Sequence, residues 1–395
     1  MLQIGDPREV RMDVRRLEKL AERVQAWTQT GLAQSVAYLV ARHGVVVARN
    51  AFGIANYLEP DGPLKTDAIF GLSSVSKPVT ATAVMLLVEA GELSLNRPLA
   101  EYIPEVSGKG AGAILVHHLL THTSGYTVNS AAPRLGAAFR ACRSAAQPMD
   151  KHEIIEKMLS SVYDLDPEIL PGTENRYCGI VNYLFLAEIV RRVSGQTIDD
   201  FARQNIFEPL GMKDTSYGLS KSSSGRRVVP DPAAYKGIDG YDPNDSTRLA
   251  LPHGGGGVFS TIDDMAIFVQ TFLNGGRFKG VQLISPASVA AMTTNQIAGI
   301  GTRDQVGAWV SEASWGLGWM VQGAARWRRA HGSLQPVGSY YHQGASGAAI
   351  WAEPKSGLAC VYLSVISRMD PVTEEFFWEF DKFQNMVMSC IQDDA

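Results

Sequence analysis

Cysteine is scarce and scattered in these 395 residues: Cys142, Cys178, Cys360 and Cys390 fall at wide, irregular intervals. With no Cys-x-x-Cys pair and no dense framework of the secreted type, neither a disulfide scaffold nor a thiolate metal site is indicated. An excess of charge of one sign is also lacking. Thirty-six basic and forty acidic residues leave a formal net charge of -4, so no global positive field invites nucleic acid. The short basic cluster Arg326, Arg328 and Arg329 reads as a solvated loop. No apolar run approaches a membrane span, and the amino-terminal stretch MLQIGDPREVRMDVRRLEKL has no apolar segment followed by a small-residue cleavage site. The expectation is a soluble, cytoplasmic chain. The glycine run at 254–257 lacks the Gly-Lys-Ser/Thr ending of a phosphate-binding loop, which speaks against a nucleotide site. It precedes an N-cap signature, Ser260 or Thr261 followed by Asp263 and Asp264, and reads as a turn feeding a helix.

What is present is a large, ordinary globular composition, 45% hydrophobic and 19% charged, enough for an extensive core and more than one subdomain. Residues 13–30 place Leu17, Leu20, Ala21, Val24 and Trp27 at three- and four-residue spacings, an amphipathic helix ended by Gly31. The β-rich segments SVAYLVARHG and VVVARNAFGIAN follow, separated by His43 and Gly44 as in a hairpin. Near the other end, strands are expected from Ser339, around Ala348–Ala352 and over Leu358–Ile366, followed by a helix from Pro371 carrying Phe376, Phe377, Phe380 and Phe383. Neither chain end alone completes a covered sheet, so the two combine into one antiparallel sheet flanked by terminal helices. Between them helical patterns dominate, among them TATAVMLLVEAGEL, VNYLFLAEIVRRVSG and TIDDMAIFVQTFLNGG. The reading is α+β: a sheet subdomain from 1–74 and 336–395, and a mainly helical subdomain inserted over 75–335.

The chemistry centres on FGLSSVSKPVTATAVML, residues 70–86. A helix starting near Ser74 or Val75 brings residues three apart onto one face, setting the Lys77 ammonium beside the Ser74 hydroxyl. Pro78 is tolerated in a first helical turn. The apolar stretch Val79–Val88 desolvates the lysine, which lowers its pKa toward that of a base. Spacing alone also admits ordinary N-capping by Ser73, Ser74 or Ser76, and Ser73 stands four residues before Lys77.

The stretch FGLSSVSKPVTATAVMLLVEAGELSLNRPLAEYIPE resembles the nucleophile region of the serine β-lactamase and penicillin-binding-protein superfamily. Within it the likeness is to the class C branch, with its D-alanyl-D-alanine carboxypeptidases and family VIII carboxylesterases. It continues through VHHLLTHTSGY, LPGTENRY, WGLGW and YHQGASG in the same order. The resemblance implies a β-lactamase/transpeptidase-like fold with the active site at the subdomain junction. It places the Ser-x-x-Lys nucleophile and base on Ser74 and Lys77, and the catalytic phenol on Tyr177, with Tyr183 as competitor. The third motif falls on His342, Gln343 and Gly344, with the oxyanion hole formed by the backbone amides of Ser74 and Ala345. Trp315 of WGLGW is implied as a ligand contact.

Two departures from the family pattern bear on substrate. Position 179 is Gly where peptidases and lactamases usually carry Asn, and His342 replaces the lysine that could hold a substrate carboxylate. The loss of that cation turns the expectation toward a serine hydrolase cleaving a small neutral ester through a Ser74 acyl-enzyme. The alternatives are an amidase, D-peptidase or weak β-lactamase using the same residues, an acyltransferase, and a noncatalytic ligand-binding module. No cofactor is implied. His117, His118 and His122 read as structural, since no Cys, Asp or Glu completes a metal-ligand spacing.

Overall fold

The computed structural model describes residues 1–235, 242–304, 307–325, 332–366 and 378–393. The arginine cluster at 326–329 and the expected helix start with Phe376 and Phe377 lie outside these residues.

The two chain ends build one sheet. Its strand order is Gln3–Ile4, Val45–Asn56, Ala33–Arg42, Leu358–Ile366, Ala349–Glu353, Tyr340–Gln343 and Met320–Val321, with Glu59–Pro63 paired onto Val45–Asn56. All pairings are antiparallel except the short Gln3–Ile4 edge. The first hairpin turns at His43 and Gly44, whose φ values of 49° and 81° are those of a two-residue turn matched to strand twist. At the centre Ala33–Arg42 pairs with Leu358–Ile366, Tyr38 opposite Tyr362.

Both central strands are buried on both faces, so their alternation sorts residues between two cores rather than between core and water. Val36, Tyr38, Val40, Cys360 and Tyr362 face the terminal helices Val14–Gln29 and Trp378–Met388, meeting Leu20, Val24, Trp27, Phe380 and Phe383. Ala37, Leu39, Ala41, Val361 and Leu363 face the opposite core, shared with the helix Ile262–Leu273. Each fully buried leucine or valine there contributes about 1.5–3 kcal/mol.

The inserted region is mainly helical and packs around Lys77–Glu89, of which ten residues are buried. That helix touches Val181–Ser194 along its length. Two small three-stranded sheets lie outside the large one, one joining Phe70–Gly71 to the insert strands Val258–Ser260 and Ser216–Tyr217, the other made of Glu174–Asn175, Gly301–Arg303 and Trp309–Val310. The glycine run therefore feeds the strand Val258–Ser260 first, and the helix behind it is capped by Thr261, which accepts from the Asp264 amide. All four cysteines are free and buried. Among the described residues no helix is long and apolar enough to cross a membrane.

Candidate active site

Ser73–Ser76 form one 3-10 turn running directly into the helix Lys77–Glu89, and the three serines separate there by what they touch. Ser76 Oγ donates to the Ser73 carbonyl at 2.7 Å and accepts the Val258 amide at 3.0 Å, which ties the turn to the neighbouring strand. Ser73 has φ 48°, a left-handed conformation that costs a non-glycine residue about 1–3 kcal/mol. The next residue, Ser74, has its hydroxyl 2.9 Å from Lys77 Nζ.

Lys77 is 1% exposed. Its Nζ donates to the Gly255 carbonyl at 2.7 Å and lies between two aromatic rings, 5.2 Å from the Tyr177 centroid and 5.3 Å from that of Tyr183. No carboxylate is paired with it among the described residues. Burial lowers its pKa to about 7, so neutral amine is abundant near neutral pH.

Tyr177 follows the short strand Glu174–Asn175. As a residue it leaves 42% of its surface open, while the protein around its hydroxyl raises the phenol above the ordinary tyrosine value. A side-chain hydrogen bond with Ser74 works in the opposite direction. The hydroxyl therefore stays protonated at neutral pH. Gly179 makes this proximity feasible: a Cβ there would stand 2.3 Å from Lys77 Cε, 2.6 Å from Nζ and 2.9 Å from Tyr177 Oη. Tyr183, by contrast, is fully buried in Val181–Ser194, and among the described residues its hydroxyl has no hydrogen-bond partner.

The end of the strand Tyr340–Gln343 closes the other side. A Cβ on Gly344 would lie 2.4 Å from the Leu72 carbonyl and 3.3 Å from the Ser74 nitrogen, so only glycine lets this loop meet the Ser74 turn. The Ser346 hydroxyl fastens it by donating to the Gly71 carbonyl at 3.1 Å. Ala345 follows Gly344 into the cavity that Ser74, Lys77 and Tyr177 line. Among the described residues, neither the Ser74 nor the Ala345 amide has a protein acceptor.

Other expected contacts lie elsewhere. His342 is 1% exposed, sits behind Tyr177 at 6.5 Å between ring centroids, and is held neutral, its pKa lowered to about 3 chiefly by burial and then by Lys77. Gln343 opens into a separate small cavity with Leu32 and Phe380. Trp315 is buried edge-on to His122, 4.8 Å between centroids, and backs Tyr177 rather than lining the cavity. Within the strand Tyr340–Gln343 successive side chains point to opposite faces, which sends His342 toward the Tyr177 and Trp315 rings and Gln343 toward the small cavity.

His122 was read as structural, and the structure gives it, His253 and one further helix definite places around the site. His122, in the left-handed region at φ 56°, lies 4.5 Å from the Tyr177 ring centroid and accepts the Cys178 amide at 3.2 Å, which fixes the turn carrying the phenol. His253 accepts the Gly255 amide at 3.0 Å and so orients the peptide whose carbonyl receives Lys77. Burial, with Lys77 and Arg248 nearby, lowers its pKa to about 4. The helix Val128–Arg143 forms a wall of the cavity; Pro133 and Gly136 inside it hide the pattern, although Ala131, Leu135, Phe139 and Cys142 keep helical spacing. Among the described residues no group of His, Cys, Asp and Glu is arranged to hold a metal ion.

The family model "Beta-lactamase" matches residues 20–375. The chain belongs to that family. A "Putative D-alanyl-D-alanine carboxypeptidase" of Escherichia coli (strain K12) is 26% identical over 390 residues, covering 91% of this chain and 84% of that protein. Esterase EstB of Burkholderia gladioli is 27% identical over 377 residues, covering 85% and 89%. The crystal structure of a family VIII carboxylesterase superposes with a TM-score of 0.73 at 21% identity, covering 96% of this chain and 98% of that one. The β-lactamase family fold, related to these carboxylesterases and carboxypeptidase-like proteins, is thus a serine-hydrolase framework.

Proposed function

We propose that the protein is a serine esterase acting through a Ser74 acyl-enzyme, with the site at the junction between a sheet subdomain of 1–74 and 336–395 and the insert 75–335. The observation that carries this is the contact of 2.9 Å between Ser74 Oγ and a lysine nitrogen whose burial keeps it near half neutral at pH 7.

The neutral amine donates one N–H to the Gly255 carbonyl and turns its lone pair to Ser74. Ser74 Oγ attacks the ester carbonyl carbon as its proton passes to Lys77 Nζ. The carbonyl oxygen gains negative charge between the Ser74 and Ala345 amides, which among the described residues have no protein acceptor to give up. Collapse of the tetrahedral intermediate expels an alkoxide. Tyr177, a protonated phenol, donates to it, and the phenol is restored from the Lys77 ammonium. Water then attacks the acyl-enzyme with Lys77 again taking the proton, and Ser74 is released as the acid departs.

An ester is favoured over an anionic β-lactam or peptide. His342, where many relatives carry a lysine, is neutral and buried, so the third motif offers no cation to a substrate carboxylate. An alkoxide also leaves more readily than an amine, which suits a site with one phenolic donor. The test is turnover of a short aryl ester and its matched anilide. Ser74→Ala should abolish hydrolysis and Ser73→Ala should retain it, with the ester faster than the anilide. Full activity in Ser74→Ala overturns the proposal, and a faster anilide overturns the ester assignment.

A further inference from the structure

The cavity that opens on Ser74 has a volume of about 540 Å³. That sits within the about 300–1,000 Å³ typical of ligand pockets and far exceeds the roughly 30 Å³ per molecule of liquid water. An acetyl or butyryl group would leave most of it filled with water. Ser73, Lys77, Tyr177 and the 255–257 turn line it around Ser74. Away from them the walls are apolar: Leu135 and Phe139 from the helix Val128–Arg143, Met158 from the helix Lys151–Ser160, Ile180 beside the phenol turn, and Phe70 and Phe259 from the paired short strands. Besides Lys77, two arginines among the described residues line the cavity, and both are engaged in its wall. Arg227 donates to the Pro243 carbonyl and to Asn244, and the Arg248 guanidinium lies over the Phe139 ring at 4.8 Å.

Resting on the esterase reading above, we infer that the substrate is an ester with one large apolar arm, on the order of six carbons or more, lying along this wall. The physical reason is differential burial. Each methylene moved from water onto the apolar wall should raise kcat/KM about fourfold, which at 1.36 kcal/mol per tenfold corresponds to about 0.8 kcal/mol. A site built only for small esters would gain nothing beyond the first carbons, because further chain would project into solvent. The arm belongs either to the acyl group or to the alcohol, and the chemistry of recognition is the same for both.

The experiment measures kcat/KM on two ester series, p-nitrophenyl acetate to octanoate and ethyl to octyl acetate, below the concentration at which either aggregates. The same series is run on Leu135→Asp, which puts a charge in the apolar wall, and on Leu135→Met, which keeps its volume and apolarity. The expected result is a rise of about fourfold per methylene over several carbons in one of the series. Leu135→Asp should lower the octyl-to-ethyl or octanoate-to-acetate ratio at least tenfold, and Leu135→Met should preserve it. Two flat series, or rates that fall beyond four carbons, would overturn the inference, as would an unchanged ratio in a folded Leu135→Asp protein. Labelling of the wild-type protein by a small methylphosphonate separates the two readings. Ser74 labelled with both series flat refutes the apolar arm alone, whereas no label refutes the esterase assignment beneath it.

Discussion

Replacing Lys77 with methionine keeps the length and the apolar stem but removes the titrating nitrogen. Burial lowers this lysine from 10.5 to about 7. For a base whose folded pKa is depressed, the folded state is penalised below about pH 7, and the penalty is lifted progressively as pH rises toward the unfolded value. Between those limits the unfolded chain holds a proton that the folded protein has released, so wild-type stability climbs with pH. The slope is about 1.36 kcal/mol per pH unit. From pH 7, where the folded lysine is half deprotonated, to pH 9 the wild type therefore gains about 2 kcal/mol from this group, out of about 5 kcal/mol over the whole window. Lys77→Met has no such term, and the titrations of all other groups cancel when the two proteins are compared at the same pH. Urea unfolding followed by tryptophan fluorescence at pH 6, 7, 8 and 9 measures the difference. The variant's advantage over wild type should be nearly constant from pH 6 to just below 7 and shrink by about 2 kcal/mol from pH 7 to pH 9. A difference that stays flat from pH 6 to 9 would refute the reasoning, because it would mean that the folded protein keeps this ammonium charged.

The same titration should appear in catalysis: kcat/KM rises with pH through an apparent pKa near 7 as neutral Lys77 accumulates, and a profile flat between pH 6 and 8 would contradict this. Tyr177→Phe should lower kcat on aryl esters by about 10²–10⁴. Tyr183→Phe, whose hydroxyl has no partner among the described residues, should cost less than about tenfold, and the reverse ranking would move the donor to Tyr183. Gly179→Asn forces a Cβ to within 2.6 Å of Lys77 Nζ, so the lysine must move and kcat should fall about a hundredfold, with no gain on β-lactams. A folded Gly179→Asn protein with wild-type ester turnover would show that the contact is not needed.

The sheet was legible because both its central strands come from runs with strong β grammar, and because neither chain end could cover a sheet alone. The Ser-x-x-Lys spacing was legible for a similarly local reason: three residues of helix bring Ser74 to Lys77 whatever surrounds them. Spacing could not separate Ser73 from Ser74, since that depends on the left-handed backbone at Ser73, which a serine does not announce. Nor could it place the third motif. His342 and Trp315 were expected at the ligand, but both stand behind Tyr177 in an aromatic cluster, leaving Ala345 at the cavity. The helix Val128–Arg143 was missed because Pro133 and Gly136 look like breakers, yet Thr127 caps its start and the helix runs on through Pro133, which lies in its interior and cannot donate a backbone hydrogen bond. Gly179, a departure in sequence terms, becomes intelligible through contacts with residues 77 and 177 that no local pattern contains.

The most direct test of the account is to mix the enzyme with p-nitrophenyl acetate, quench in acid within the first turnover, and map the acetyl group by peptide mass spectrometry. The account predicts one acetyl group, on Ser74, which forms at pH 8 and is lost in Lys77→Met. An acetyl group on Ser73 or on another side chain, or turnover with no covalent adduct under any quench, would contradict it.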